Sequence, residues 1–151
     1  MEKKDLSWQE FEEKATELGQ IIKKDPDYKK FKYVLALTRG GLIPAYFVAR
    51  ELGLKKIKTL CLRSYGDTRD QEEIEHLTVD GFDEEIHNIE DWLVIDDICD
   101  TGKTLTFVEG KYPGIKSACV YKKHHKDCTF SAAQVPNELW LNFPWEKYED
   151  E

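Results

Sequence analysis

The stretch from Trp92 to Leu105, Trp-Leu-Val-Ile-Asp-Asp-Ile-Cys-Asp-Thr-Gly-Lys-Thr-Leu, constrains this chain most. Trp92 to Ile95 is an apolar run of strand length, rich in branched residues. Two carboxylates, Asp96 and Asp97, follow at once. Asp100, Thr101, Gly102, Lys103 and Thr104 come next, and an apolar pattern resumes at Leu105. The pattern predicts strand, loop, helix, with acids at the strand's carboxyl end. Open α/β sheets bind ligands outside those ends. Small polar residues at a helix start offer amides, hydroxyls and the helix dipole to a phosphate. Two adjacent acids can seat a hard cation such as Mg2+ beside it. An ordinary turn capped by Asp100 or Thr101 accounts well for any one of these residues; the set together favours a phosphorylated, metal-bound ligand. The commoner phosphate loops, Gly-x-x-x-x-Gly-Lys-Ser/Thr and Gly-x-Gly-x-x-Gly, are absent.

A second unit of the same kind precedes it. Tyr33 to Leu37 reads as a buried parallel strand. Thr38-Arg39-Gly40-Gly41 is the loop, and Leu42 to Leu52 a helix with Pro44 in its first turn and Gly53 just past its end. That helix is apolar on most faces, which predicts deep burial. Arg39 can grip an anion, and the glycines let backbone approach it. Alone, Arg-Gly-Gly is equally a tight turn; paired with the Asp97 to Thr104 loop it becomes the other wall of a phosphate cleft.

Ser7-Trp8-Gln9-Glu10 fits a capping box. Trp8, Phe11, Ala15, Leu18 and Ile22 then form one apolar helical stripe that fades near Asp25-Pro26. Lys56 to Ser64 reads as a strand. Between Asp67 and Asp91 lie eleven acids and one arginine, with a short strand-like segment at Ile74 to Val79. This insertion reads equally as a functional lid or as a solvated hairpin. Thr104 to Lys111 completes a helix, stopped by Pro113-Gly114. Ser117 to Tyr121 is a strand, with Lys122-Lys123-His124-His125-Lys126 as a mostly solvated basic turn. Leu139 to Phe143 is the last strand.

The alternation predicts an α/β fold, a mostly parallel twisted sheet flanked by helices with right-handed crossovers. At 151 residues, one domain spanning 1–151 is expected. The net charge of −8 argues against nucleic acid as a partner. No apolar run reaches the length of a membrane span, and the N-terminus has no h-region. Cys61, Cys99, Cys119 and Cys128 show no paired spacing and read as reduced, mostly buried thiols of a cytoplasmic protein.

Val94-Ile95-Asp96-Asp97-Ile98-Cys99-Asp100-Thr101-Gly102-Lys103-Thr104 resembles, over its whole length, the signature with which type I phosphoribosyltransferases bind 5-phosphoribosyl 1-diphosphate (PRPP). Thr38-Arg39-Gly40-Gly41-Leu42-Ile43-Pro44 resembles the pyrophosphate loop of the bacterial xanthine-guanine subgroup. Ala49 to Gly53, Ser64-Tyr65 and Trp140-Leu141-Asn142-Phe143-Pro144-Trp145-Glu146 resemble that subgroup too. The likeness runs from about Ser7 to Glu146 and is weakest from Gly66 to Asp91.

The resemblance implies the type I phosphoribosyltransferase fold with a mobile hairpin lid. It implies Mg2+-dependent transfer of phosphoribosyl from PRPP to a 6-oxopurine, namely guanine, xanthine or hypoxanthine, in nucleotide salvage. Arg39 and Gly40 would contact pyrophosphate. Asp96 and Asp97 would hold the ribose hydroxyls and Mg2+, with Asp97 as the metal ligand. Asp100, Thr101, Gly102, Lys103 and Thr104 would cradle the 5′-phosphate, and Asp100 would lie near N7 of the base. Lys123 would reach the 6-oxygen, although Lys122 and Lys126 stay open as the inward-facing residue. Trp140 would stack on the base and the Leu141 backbone would meet its exocyclic group. A homo-oligomer, dimer or tetramer, is expected. One departure stands out: family lids offer basic residues to pyrophosphate, and here Arg69 is the only arginine or lysine between Ser64 and Asp91. Arg69 is therefore the lid's candidate catalytic residue. Two alternatives share the site: a non-catalytic PRPP-binding regulator, and a transferase for a non-purine base.

Overall fold

The computed structural model describes residues 2–65, 73–78, 86–124 and 127–148. Strands β2 (Tyr33–Thr38), β3 (Ile57–Tyr65), β4 (Glu73–Thr78), β5 (Trp92–Cys99), β6 (Lys116–Lys123) and β7 (Phe130–Val135) form one sheet in the order β4-β3-β2-β5-β6-β7. Five are mutually parallel, and β4 runs antiparallel to β3 as the edge. A separate parallel pair joins β1 (Lys3–Asp5) to β8 (Trp140–Asn142).

Helices cover both faces of the sheet, as the apolar strands require. Helix α1 (Trp8–Ile22) opens on the Ser7 capping box, with Glu10 N–H donating to Ser7 Oγ at 3.0 Å. Its stripe buries Phe11, Ala15, Leu18 and Ile22 against α2 (Leu42–Leu52) and the β2, β5 and β6 side chains of the same face. Trp8 stays half exposed at the edge of the stripe, against Trp145. Leu141 and Phe143 join this core, so the β1–β8 pair is anchored through them. Helix α3 (Lys103–Lys111) lies on the other face, where Leu105 and Val108 meet Leu35, Leu37, Leu60, Val94 and Cys119. Burying a large aliphatic side chain contributes about 1.5–3 kcal/mol. These two apolar layers are therefore what fixes the sheet between the helices.

Four sequence expectations need correction. α2 is not buried all round: Leu42 is 44% and Tyr46 57% exposed, and Arg50 lies over the Tyr46 and Phe47 rings. β5 continues past Ile95 to Cys99, so the two acids lie in the strand and not after it. β6 runs on to Lys123, so Lys122 and Lys123 are strand residues, held by pairing with Gln134 and Val135 of β7. The final strand pairs with β1 and not with the main sheet. Strands β1 and β7 had no sequence signal. The expected strand at Ile74 to Val79 is β4, with Val79 outside the described residues.

Candidate active site

The strand order reverses direction between β2 and β5, and the carboxyl ends of those two neighbours carry both glycine-bearing loops. That is the switch point at which open α/β sheets bind ligands. The sequence brings the loops together by the absence of side chains. A Cβ on Gly41 would come 2.4 Å from the Ile95 carbonyl oxygen and 2.7 Å from that of Leu37. Its φ of −83° is open to any residue, so glycine is needed here for space alone. A Cβ on Gly40 would meet the Asp97 carboxylate, 2.6 Å from Oδ2. The Arg39–Gly41 backbone therefore packs directly on the acid pair of β5. The Thr38–Arg39 peptide is cis, and Arg39 is exposed at the rim.

The acids are presented where the alternation of β5 breaks. Ile95 and Ile98, three positions apart, both face the α1–α2 layer. Between them the Asp97 N–H donates to Asp96 Oδ1 at 2.9 Å, and the Ile98 N–H to Asp97 Oδ1 at 2.7 Å. Burial pushes the Asp96 carboxyl well above the usual carboxylate range, and the charge of Asp97 pushes it further. Two adjacent acids under that repulsion are a site prepared for positive charge. Among the described residues, no group of three or more His, Cys, Asp or Glu could hold a metal by itself. The pair fits an ion that takes most of its ligands from substrate and water, as Mg2+ does with one or two carboxylates.

Asp100, Thr101 and Gly102 make the turn into α3. Gly102 is left-handed at φ +78°, a conformation that favours glycine, and Thr101 Oγ1 accepts from the Lys103 N–H at 3.3 Å. Lys103 and Thr104 open the helix, so the first amides of α3 gather at its N-terminus beside the Thr101 hydroxyl.

On the next strand, Cys99 and Lys122 are register partners, which puts Lys123 one step beyond the end of β5. Lys123 is buried, 3% exposed. Its ammonium donates to the carbonyls of Pro136 at 3.3 Å, Asn137 at 3.2 Å, and Leu139. Lys122 instead pairs with Asp127 at 3.5 Å. Between these two, Lys123 is the inward residue; Lys126 lies outside the described residues. The carbonyl cradle leads straight into Trp140, which is 39% exposed, its indole N–H donating to Asn142 Oδ1 at 3.0 Å. Leu141 is buried and pairs with Lys4. Arg69 lies outside the described residues, as does most of the expected lid; the described part is the antiparallel β3–β4 pairing.

Sequence reasoning missed three features. The Gly-Gly pair signalled close approach but not that Gly41 is locked between two strands. Pro136-Asn137 is a turn signal that could have marked the cradle. Nothing marked the thiols: Cys119, register partner of Asp96, is buried in one cluster with Cys99, and Cys128 packs against that cluster. The neighbouring Cys128 and Cys99 thiols, burial and the Asp96 charge push the Cys119 thiol up, while the Cys119 thiol and nearby Lys122 bring Cys128 down.

Residues 6–132 match the family described as the phosphoribosyl transferase domain. The xanthine-guanine phosphoribosyltransferase of Desulfotalea psychrophila is 34% identical over 143 residues, 93% of this chain and 84% of its own. That of Chromohalobacter salexigens is 32% identical over 144 residues, covering 93% and 82%. Among solved structures, the purine phosphoribosyltransferase of Pyrococcus horikoshii superposes with a TM-score of 0.73 at 28% identity, covering 96% of this chain and 95% of that one.

Proposed function

Because the chain belongs to the phosphoribosyl transferase family, we propose that it is a purine phosphoribosyltransferase of nucleotide salvage. It transfers 5-phosphoribosyl from PRPP to guanine, xanthine or hypoxanthine, giving the nucleoside monophosphate and pyrophosphate. The names of its relatives support the purine class. The observation that carries the reading is the close packing of Gly40 on the Asp97 carboxylate, which leaves no space for a Cβ and sets an anion loop beside an acid pair.

The reaction breaks the C1–O bond to pyrophosphate as a base nitrogen bonds to C1. By analogy with glycosyl transfer, its transition state resembles an oxocarbenium ion. Asp96 and Asp97, beside the ribose, favour that positive charge electrostatically. Arg39 and the Gly40 backbone receive the leaving pyrophosphate, a task for a charged fork and a bare main chain. Asp100, Thr101, Gly102, Lys103 and Thr104 hold the 5′-phosphate at the α3 N-terminus, which fixes C1 against the base. Lys123 donates to the 6-oxygen, Trp140 stacks on the base, and the Leu141 backbone meets its exocyclic group. Asp97, with Asp96 beside it, would hold Mg2+. The ion would neutralise diphosphate charge in the reactant and the leaving group. Arg69 joins the pyrophosphate contacts in this reading.

We place the enzyme in the cytoplasm as a homo-oligomer. The exposed Leu42 and Tyr46, on the helix that follows the Arg39 loop, support assembly. Incubation with PRPP, Mg2+ and a panel of bases tests the function. Nucleotide from at least one 6-oxopurine is expected. PRPP binding in calorimetry with no turnover of any base would replace the enzyme with a PRPP-binding regulator.

A further inference from the structure

Three of the four cysteines meet behind the acid pair, and this reading of the site gives them no part in transfer. Cys119 sits on β6 at the level of Asp96, Cys99 ends β5, and Cys128 lies in the β6–β7 connection. Cys119 and Cys99 are buried, while Cys128 is partly exposed. The connection is pinned to β6 beside Cys128. The Ser117 N–H donates to Thr129 Oγ1 at 3.0 Å, and the Thr129 N–H to Ser117 Oγ at 3.4 Å. The Cys128 thiol also donates to the Phe130 carbonyl at 3.1 Å. On its other side the Cys99 thiol donates to the Asp127 carbonyl at 3.8 Å, so Cys128 lies between two points fixed on the sheet and packs against the cluster that holds Cys119, while remaining partly exposed.

We propose that Cys128 and Cys119 form a hydroperoxide-sensitive thiol pair, Cys128 the attacked sulfur and Cys119 the resolving one, whose disulfide weakens donor binding at Asp96 and Asp97. The Cys128 thiolate attacks the terminal oxygen of a hydroperoxide. The O–O bond breaks, the alcohol or water leaves with the proton, and Cys128 becomes a sulfenic acid. The Cys119 sulfur then attacks the Cys128 sulfur. The S–O bond breaks, hydroxide leaves as water with the Cys119 proton, and the S–S bond forms. Two thiols supply the two electrons that reduce the peroxide. Exposure decides the order, because oxidation follows access as well as thiolate character and Cys99 and Cys119 lack access.

The functional consequence follows from register. A disulfide brings the two sulfurs to about 2.05 Å, so two free thiols packed in one cluster must draw together. That contraction draws on β6 opposite Asp96, directly behind the acids assigned above to ribose and Mg2+. Disturbing groups just behind a metal-binding shell costs roughly tenfold at the low end, so donor affinity should fall by about tenfold. The affinity readout rests on the phosphoribosyl-site reading; the bond does not.

The full chain is exposed to hydrogen peroxide and mapped by mass spectrometry of non-reduced peptides, with PRPP affinity in Mg2+ measured alongside. The expected result is a Cys119–Cys128 crosslink, absent in Cys128→Ser and reversed by dithiothreitol, with Cys61 still reduced. In Cys119→Ser, the sulfenic-acid probe dimedone should label Cys128. A crosslink to Cys61, Cys99 or a second molecule, or oxidation of Cys61 ahead of Cys128, overturns the pair. So does a Cys128 that dimedone never labels. Unchanged donor affinity in the crosslinked protein overturns the coupling to the site. Failure of the reduced protein to turn over any base overturns the proposed function and leaves the peptide map intact as the test of the pair.

Discussion

The two ends of this cleft, one proposed above for the sugar-phosphate and the other for the base, are built by opposite means. At the β2–β5 switch point, backbone does the positioning. Gly40 and Gly41 leave no room for a side chain, and Asp96 and Asp97 are fixed by the next amides in the chain. At the β6–β8 end, one long side chain does it: Lys123 spans from the end of β6 to three carbonyls before Trp140. A site made of backbone has few tolerated substitutions and few states. A site hung on one ammonium and an exposed indole can be retuned residue by residue. The first suits a donor that never changes, the second a base that can.

The difference is broken most severely at Asp97. Asp97→Asn keeps the shape and removes the charge, so PRPP should bind with no dependence on Mg2+. Calorimetry with and without the ion should show about a hundredfold loss in the presence of Mg2+, about 2.7 kcal/mol. Unchanged affinity in Mg2+ would move the metal elsewhere.

Gly41→Ala and Gly40→Ala separate fold from ligand within one loop. The Gly41 methyl would strike two backbone carbonyls, which cannot swing away. Overpacking of this kind costs about 2 kcal/mol, and Tm should drop by roughly 4–8 °C. The Gly40 methyl meets only the Asp97 side chain, which can give way at the expense of its hydrogen bond from the Ile98 N–H. Gly40→Ala should therefore melt close to the parent and bind donor poorly. A Gly41→Ala protein with parental Tm would mean that the loop is not locked between β2 and β5.

How much of each end was legible beforehand follows the same division. The switch-point loops lie in contiguous motifs, and helix caps at Ser7 and Gly53 marked α1 and α2 correctly. The base end depends on pairing with segments that carry little signal of their own. β7, Phe-Ser-Ala-Ala-Gln-Val, is mostly small and polar, and β1 is Lys-Lys-Asp with all three residues exposed. Their partners make them strands. Apart from the pairing with β7, Lys122 and Lys123 carry no strand signal of their own, and in sequence they read as a turn. α2 departs in another way: apolar composition predicts burial, yet Leu42 and Tyr46 share an exposed face. The thiol cluster was invisible since Cys99 and Cys119 meet only through the β5–β6 pairing and Cys128 only through the path of the β6–β7 connection.

Arg39→Ala probes the rim between the two ends. Arg39 is exposed, so its loss should leave the fold alone. A hydrogen bond to a charged group contributes about 1.5–3 kcal/mol, and solvent exposure favours the low end, so pyrophosphate should bind roughly tenfold more weakly. The nucleoside monophosphate, which lacks the diphosphate, should bind as before. Equal losses for both would place Arg39 on the 5′-phosphate.

The smallest effect is expected at Lys123, and the structure reduces it below the sequence expectation. A buried donor without an acceptor would penalise adenine by about 1–3 kcal/mol, tenfold or more. But a lysine ammonium has three N–H groups, and the Pro136, Asn137 and Leu139 carbonyls accept all of them. Adenine would leave no orphan donor behind. A 6-oxygen instead competes with a carbonyl already in place, and the gain is the difference between two hydrogen bonds. Lys123→Ala should therefore change the guanine-to-adenine ratio of kcat/KM by about 0.5–1 kcal/mol, roughly twofold to fivefold. The same substitution leaves three carbonyls without their shared donor and loosens the approach to Trp140, so KM should rise for every base alike. Lys122→Ala is the control, since that ammonium faces Asp127. It should alter neither quantity. If Lys123→Ala raises every KM and leaves the ratio untouched, Lys123 is a positioning residue for the Trp140 turn and selection at the 6-position lies elsewhere. If Lys122→Ala moves the ratio, the carbonyl cradle opens when the base arrives and the inward residue changes with it.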